Sequence, residues 1–78
     1  MITLYVKDNC AYSAAVLAKL NALGVPFEQK NVGDPEVLDE VLMRGGKTQT
    51  PYMVDGETEL YESADIVDYL EKTYGPHI

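Results

Sequence analysis

A single cysteine, Cys10, stands among 78 residues, within the run Cys10-Ala11-Tyr12-Ser13. It follows an apolar stretch, Ile2-Thr3-Leu4-Tyr5-Val6, and a polar break at Lys7-Asp8-Asn9, and a segment with helical spacing comes after it. A thiol at that junction faces the unpaired amides of a first helical turn, where the positive end of the dipole favours a thiolate. Lys7 adds a positive charge, partly offset by Asp8. Such surroundings lower a cysteine below its ordinary pKa of about 8.5 and give an attacking sulfur at neutral pH. A free cysteine is more often a small buried hydrophobe, but the polar Asp8 and Asn9 beside this one favour chemistry. With no second cysteine, an internal disulfide and a Cys-rich zinc site are both excluded.

These groups need a scaffold, and the punctuation of the chain supplies one. Residues 2–6 suit a strand buried on both faces. Val16, Leu17, Leu20 and Leu23 recur at helical spacing, Gly24 stops that helix and Pro26 follows. Phe27 to Val32 reads as a second strand, so short connections favour a parallel pair. Asp34-Pro35-Glu36 opens a helix with an apolar stripe of Val37, Leu38, Val41 and Leu42, ended by Gly45-Gly46. Asp55-Gly56, between Tyr52-Met53-Val54 and the run Glu57 to Tyr61, signals a hairpin. Ser63 opens a last helix with Ile66, Val67, Leu70 and Tyr74 inward, closed by Gly75-Pro76. Tyr5, Tyr52, Tyr61, Tyr69 and Tyr74 read as core or core-edge residues. The order β-α-β-α-β-β-α predicts one α/β domain over residues 1–78, a four-stranded mixed sheet flanked by three helices in a thioredoxin-like arrangement.

Composition narrows the function. Thirteen acidic against six basic residues give a net charge of −7, which disfavours nucleic acid and anionic lipid as partners. No apolar run approaches the ~20 residues of a membrane span, and no secretory signal is recognisable. An unpaired cysteine without a signal favours a reducing cytoplasm, and the chain is expected to be a monomer. Gly46-Lys47-Thr48 imitates the end of a phosphate-binding loop, but the required first glycine would fall at Val41, inside a helix, so nucleotide binding is rejected. His77 stands alone and makes a poor metal site; no metal is expected.

Taken together, the pieces resemble the glutaredoxins and the glutathione transferase N-terminal domain. Cys10-Ala11-Tyr12-Ser13 resembles the glutaredoxin Cys-Pro-Tyr-Cys, with Lys7 at the place of that family's upstream lysine. Thr50-Pro51 resembles its Thr-Val-Pro segment with a cis proline, and Glu62-Ser63 the transferase Glu/Gln-Ser turn. The resemblance implies a glutathione-dependent thiol–disulfide oxidoreductase acting through Cys10, with Lys7 and Ser13 assisting and glutathione as co-substrate. Glutathione would lie against Tyr12, Gln49, Thr50, Pro51, Glu62, Ser63 and Asp65. Thr50 would meet its cysteinyl backbone, Ser63 its γ-glutamyl carboxylate, and Glu62 or Asp65 its ammonium. Lys7, Lys47 and Gln49 are candidates for its glycine carboxylate. Each has a plainer role: Ser63 a helix cap, Thr50-Pro51 an ordinary turn, Lys47 a solvated lysine and Tyr12 a surface aromatic. Ser13 in place of a second cysteine rules out an intramolecular dithiol cycle, because a hydroxyl cannot resolve a mixed disulfide. What remains is a monothiol route on glutathionylated protein thiols. Ser13 either hydrogen-bonds the sulfur natively or replaces a resolving cysteine by design. Two other functions fit a lone cysteine: an iron–sulfur carrier bridged by glutathione in a dimer, although Ala11-Tyr12 departs from the usual Cys-Gly-Phe-Ser, and a non-catalytic glutathione-binding module.

Overall fold

A computed structural model describes residues 1–75; Pro76 and His77 lie outside the described residues. Along the chain run β1 (Ile2–Val6), α1 (Ala11–Leu23), β2 (Phe27–Asn31), α2 (Pro35–Gly45), β3 (Tyr52–Asp55), β4 (Thr58–Leu60) and α3 (Ser63–Tyr74). The strands form one mixed sheet in the order β2-β1-β3-β4, with β1 parallel to β2 and antiparallel to β3, and β3 antiparallel to β4. This is the expected four-stranded, three-helix, thioredoxin-like architecture.

Strand alternation sends the side chains of β1 into two cores. Ile2, Leu4 and Val6 join Val16 and Leu20 of α1, Met53 of β3, and Ile66 and Leu70 of α3. Tyr5 points the other way and packs with Val41 of α2 and Tyr52 of β3. Helices α1 and α3 therefore cover one face and α2 the other. Gly24 caps α1 at φ 68°, a left-handed conformation that a side chain resists. At the start of α2 the Asp34 carboxylate accepts from the Glu36 amide at 3.0 Å, and Pro35 occupies the first turn, as expected.

Several expectations need correction. Strand β2 stops at Asn31, whose carbonyl and side chain already bend the chain by accepting from the Asp34 and Gly33 amides. The hairpin closes one residue later than the Asp55-Gly56 signal implies. Asp55 pairs with Thr58, and Gly56 (φ 61°) and Glu57 form the turn. Tyr74 is 39% exposed rather than inward, because its hydroxyl reaches Asp55 at the end of β3. Leu42, assigned to the apolar stripe of α2, is 41% exposed; Val41 is that helix's fully buried residue. Among the described residues no helix is long and apolar enough to cross a membrane.

Candidate functional site

Cys10 occupies the N-cap position of α1 with extended backbone (φ −103°, ψ 112°), and its carbonyl accepts from the Ala14 amide at 3.0 Å. Asn9 before it adopts φ 58°, a left-handed conformation that asparagine tolerates better than most residues, and so turns the chain out of β1 into the helix. The first turn of α1 contains no acidic side chain, whereas α2 has Glu36 and α3 has Asp65. The residue standing at this unanswered positive end is the thiol. Asp8, the nearest carboxylate in sequence, accepts from Asn31 Nδ2 at 2.7 Å.

The Cys10 thiol is lowered from its ordinary pKa. The Ser13 hydroxyl is the largest cause and the Ser13 amide the next; burial works against them, and the Tyr12 amide and Thr50 side chain add to the lowering. Ser13 is only 2% exposed, yet its Oγ makes no formed hydrogen bond. The hydroxyl therefore stands near the sulfur without closing a hydrogen bond to it; an ionised sulfur accepts more strongly than a neutral thiol, so ionisation favours that bond. Lys7 is exposed and is not among the principal causes of the lowering, so hydrogen bonds rather than its charge tune the sulfur.

A cleft of about 350 Å³ opens beside this turn. Tyr12, 67% exposed, forms one wall; Gln49, Thr50 and Pro51 form another, and Glu62 and Ser63 a third. The Thr50–Pro51 bond is cis. Thr50 both lines the cleft and acts on the Cys10 thiol, so the sulfur adjoins the cleft through Thr50, while Cys10 itself lines a neighbouring hollow. Gln49 Nε2 donates to Glu62 Oε1 at 2.9 Å, tying the loop to the start of α3. Glu62, not Ser63, holds the cap position of α3, and its carboxylate turns to Gln49 instead of capping. Ser63 is the first helical residue, so the first amides of α3 stand at the cleft without a side-chain cap.

Two predicted residues fall elsewhere. Asp65 is exposed in the first turn of α3 and does not line the cleft. Lys7 lines a separate hollow of about 500 Å³ on the other side of the turn, with Cys10, Ser13 and the apolar Val6 and Leu17. The reading of the residues also missed Tyr61 as a cleft residue, because an aromatic between a strand and a helix reads as core. Its ring lies 5.3 Å from the Lys47 ammonium, and its hydroxyl approaches the Lys47 carbonyl at 3.5 Å. Chemically, the site offers an ionisable sulfur at one helix start, uncapped amides at another, and a polar loop between them.

Comparison with known proteins gives consistent matches. The family described as glutathione S-transferase, N-terminal domain, matches residues 4–77. A Stringent starvation protein A homolog from Haemophilus ducreyi is 29% identical over 77 residues, covering 99% of this chain and 36% of that protein. An epsilon-class glutathione S-transferase from the housefly Musca domestica superposes with a TM-score of 0.84 at 28% identity, covering 99% of this chain and 37% of its own. Human glutathione transferase theta-2, in complex with glutathione and an unknown ligand, gives a TM-score of 0.85 at 25% identity over 99% of this chain and 33% of its own. A glutathione transferase homolog from a Drosophila species (mojavensis), solved with bound glutathione, gives 0.83 at 28% identity, with 95% and 35% covered. The chain thus spans about a third of the length of the relatives it matches.

Proposed function

The chain belongs to the glutathione S-transferase N-terminal domain family, and from that membership we propose that it binds glutathione in the Tyr12–Thr50–Ser63 cleft and exchanges thiols through Cys10. The observation that carries the reading is the lowered Cys10 thiol at the uncompensated start of α1, joined to the cleft through Thr50. Glutathione bound in two of the matched structures supports the ligand. Its γ-glutamyl carboxylate meets the uncapped α3 amides at Ser63, and its cysteinyl backbone lies along Thr50 as an added strand would.

Exchange then runs in two displacements. The Cys10 thiolate attacks the glutathionyl sulfur of a protein–glutathione disulfide; the Cys10–glutathione bond forms, the old S–S bond breaks, and the protein thiolate leaves to take a proton from water. A second glutathione thiolate attacks the glutathionyl sulfur on Cys10, producing glutathione disulfide and restoring the Cys10 thiolate, which Ser13 receives with its hydroxyl. Ser13 cannot itself resolve the adduct. Incubation with glutathione disulfide at neutral pH, followed by intact mass measurement, should give one glutathionyl adduct on the parent chain and none on Cys10→Ser. An unmodified parent would refute the exchange. A second reading, binding without exchange, draws on the Stringent starvation protein A homolog, whose name carries no enzymatic activity. A Cys10→Ser chain that binds glutathione as tightly as a parent that forms no adduct would favour it.

A further inference from the structure

We propose that Tyr61 is a positioning residue of the cleft, seated in a slot that only glycine at position 45 leaves open, and that it holds Lys47 for the glycine carboxylate of glutathione. The inference rests on the glutathione reading above. Gly45 is the last helical residue of α2; the left-handed conformation that ends the helix belongs to Gly46, at φ 73°. Conformation therefore does not call for glycine at 45, but space does. A Cβ there would lie 2.6 Å from Tyr61 Cζ and 2.9 Å from Cε2, and nearer still to the hydroxyl. The ring is not free to retreat. It stacks on Tyr52 with centroids 4.5 Å apart and planes at 25°, and Tyr52 rests in turn on buried Tyr5 at 5.4 Å. One phenol thus links the sheet, the end of α2 and the Lys47 ammonium to the wall of the cleft, just ahead of Gln49, Thr50 and Pro51.

This seating gives Lys47 a purpose that an unattached lysine lacks. With the glutathione sulfur at Cys10 and the γ-glutamyl end at Ser63, the remaining charged group is the glycine carboxylate. Lys7 lines the hollow on the Cys10 side, whereas Lys47 lies against Tyr61, which lines the cleft itself. A cation held over the half-buried Tyr61 ring is restrained by an interaction worth about two- to fivefold in population. That restraint removes part of the ordering cost of pairing with a carboxylate.

Calorimetric titration of the full chain with glutathione, and with glutathione whose glycine carboxylate is an ethyl ester, tests the assignment. The parent should prefer the free acid by about threefold to fivefold, the range of an exposed ion pair. Lys47→Gln, Tyr61→Leu and Gly45→Ala should each flatten that preference, whereas Tyr61→Phe, which keeps the ring, should retain it. Adding Gly45→Ala to Tyr61→Leu should cost nothing more, because the ring that met the new methyl is gone. An unchanged preference in Tyr61→Leu overturns the inference, and that variant decides alone if Gly45→Ala does not fold. A parent that binds neither ligand overturns the functional reading and this inference with it; a parent that binds both equally overturns this inference only.

Discussion

Replacing Ser13 by alanine removes one oxygen and little volume, so it isolates what that hydroxyl does for Cys10. The hydroxyl is buried without a formed hydrogen bond, and a neutral thiol offers it only a weak acceptor. Burying such a group costs about 1–3 kcal/mol in mutational measurements. Below the pH at which Cys10 ionises, Ser13→Ala is therefore expected to be more stable than the parent, by about 1 kcal/mol. Above it the sign reverses. The folded pKa of Cys10 is lowered, so its thiolate contributes stability that is complete above the unfolded thiol's pKa and is lost as pH falls through the folded value. The Ser13 hydroxyl is the largest source of that lowering.

Reactivity follows with a calculable compromise. A hydrogen bond to a charged group is worth about 1.5–3 kcal/mol, and the partial exposure of Cys10 argues for the lower end. Losing about 1.5 kcal/mol reduces the thiolate population roughly tenfold at fixed pH. The thiolate that remains is more basic, and a Brønsted exponent of about 0.4–0.5 makes it roughly threefold more nucleophilic. Alkylation of Ser13→Ala by iodoacetamide should thus be about threefold slower at pH values where both sulfurs are mostly protonated and about threefold faster in alkali, where both are ionised. The two pH–rate profiles must cross. A variant slower at every pH, or one with the parent's profile, would refute the hydroxyl's role.

Two stability measurements test the scaffold. Asp55 accepts from Tyr69 at 2.7 Å and from Tyr74, and these hydroxyls, Tyr74 first, hold its carboxyl below the usual carboxylate range. Asp55→Asn should cost about 1 kcal/mol in urea denaturation at pH 7, after a discount for the exposure of Tyr74. Because the folded pKa is depressed, that contribution is present above about pH 3.9 and fades as pH falls through the folded value, so the two denaturation midpoints should converge in acid. Val41 is the fully buried residue of α2, so Val41→Ala should destabilise by about 2 kcal/mol, with faster amide exchange across α2 than across β1.

What the sequence reveals and what it hides divide along a physical line. Gly24, Asp34-Pro35 and the apolar spacing of Val16 and Leu20 act through neighbours within a turn, so the element order can be read from them. Cys10 at a helix start is legible for the same reason, whereas the cis Thr50–Pro51 turn comes from the family resemblance. Several of the errors involve partners distant in sequence. Glu62 takes the cap position from Ser63, yet its carboxylate turns to Gln49. Tyr74 leaves the core edge for Asp55, and the same carboxylate, pinned by two hydroxyls, sits inside the strand rather than in the turn. Gly45 looks like half of a helix stop, and only Tyr61 explains it.

The charge of the chain is no obstacle to an anionic ligand, although −7 suggests one. At physiological ionic strength the Debye length is about 8 Å, so exposed carboxylates farther away than that are largely screened from the cleft. Local fields decide instead, and at the cleft they point the other way. The first turn of α1 is free of acid, Asp8 is engaged by Asn31, and Glu62 by Gln49. Asp65 lies outside the cleft, and the amides it shares with Ser63 at the start of α3 carry no side-chain cap. The positive ends of two helices thus bear on one cleft, one beside a sulfur and the other with its first amides uncapped by any side chain. An acidic surface favours solubility, and under the proposed function the dipoles would confine anion binding to the place where the thiol would react.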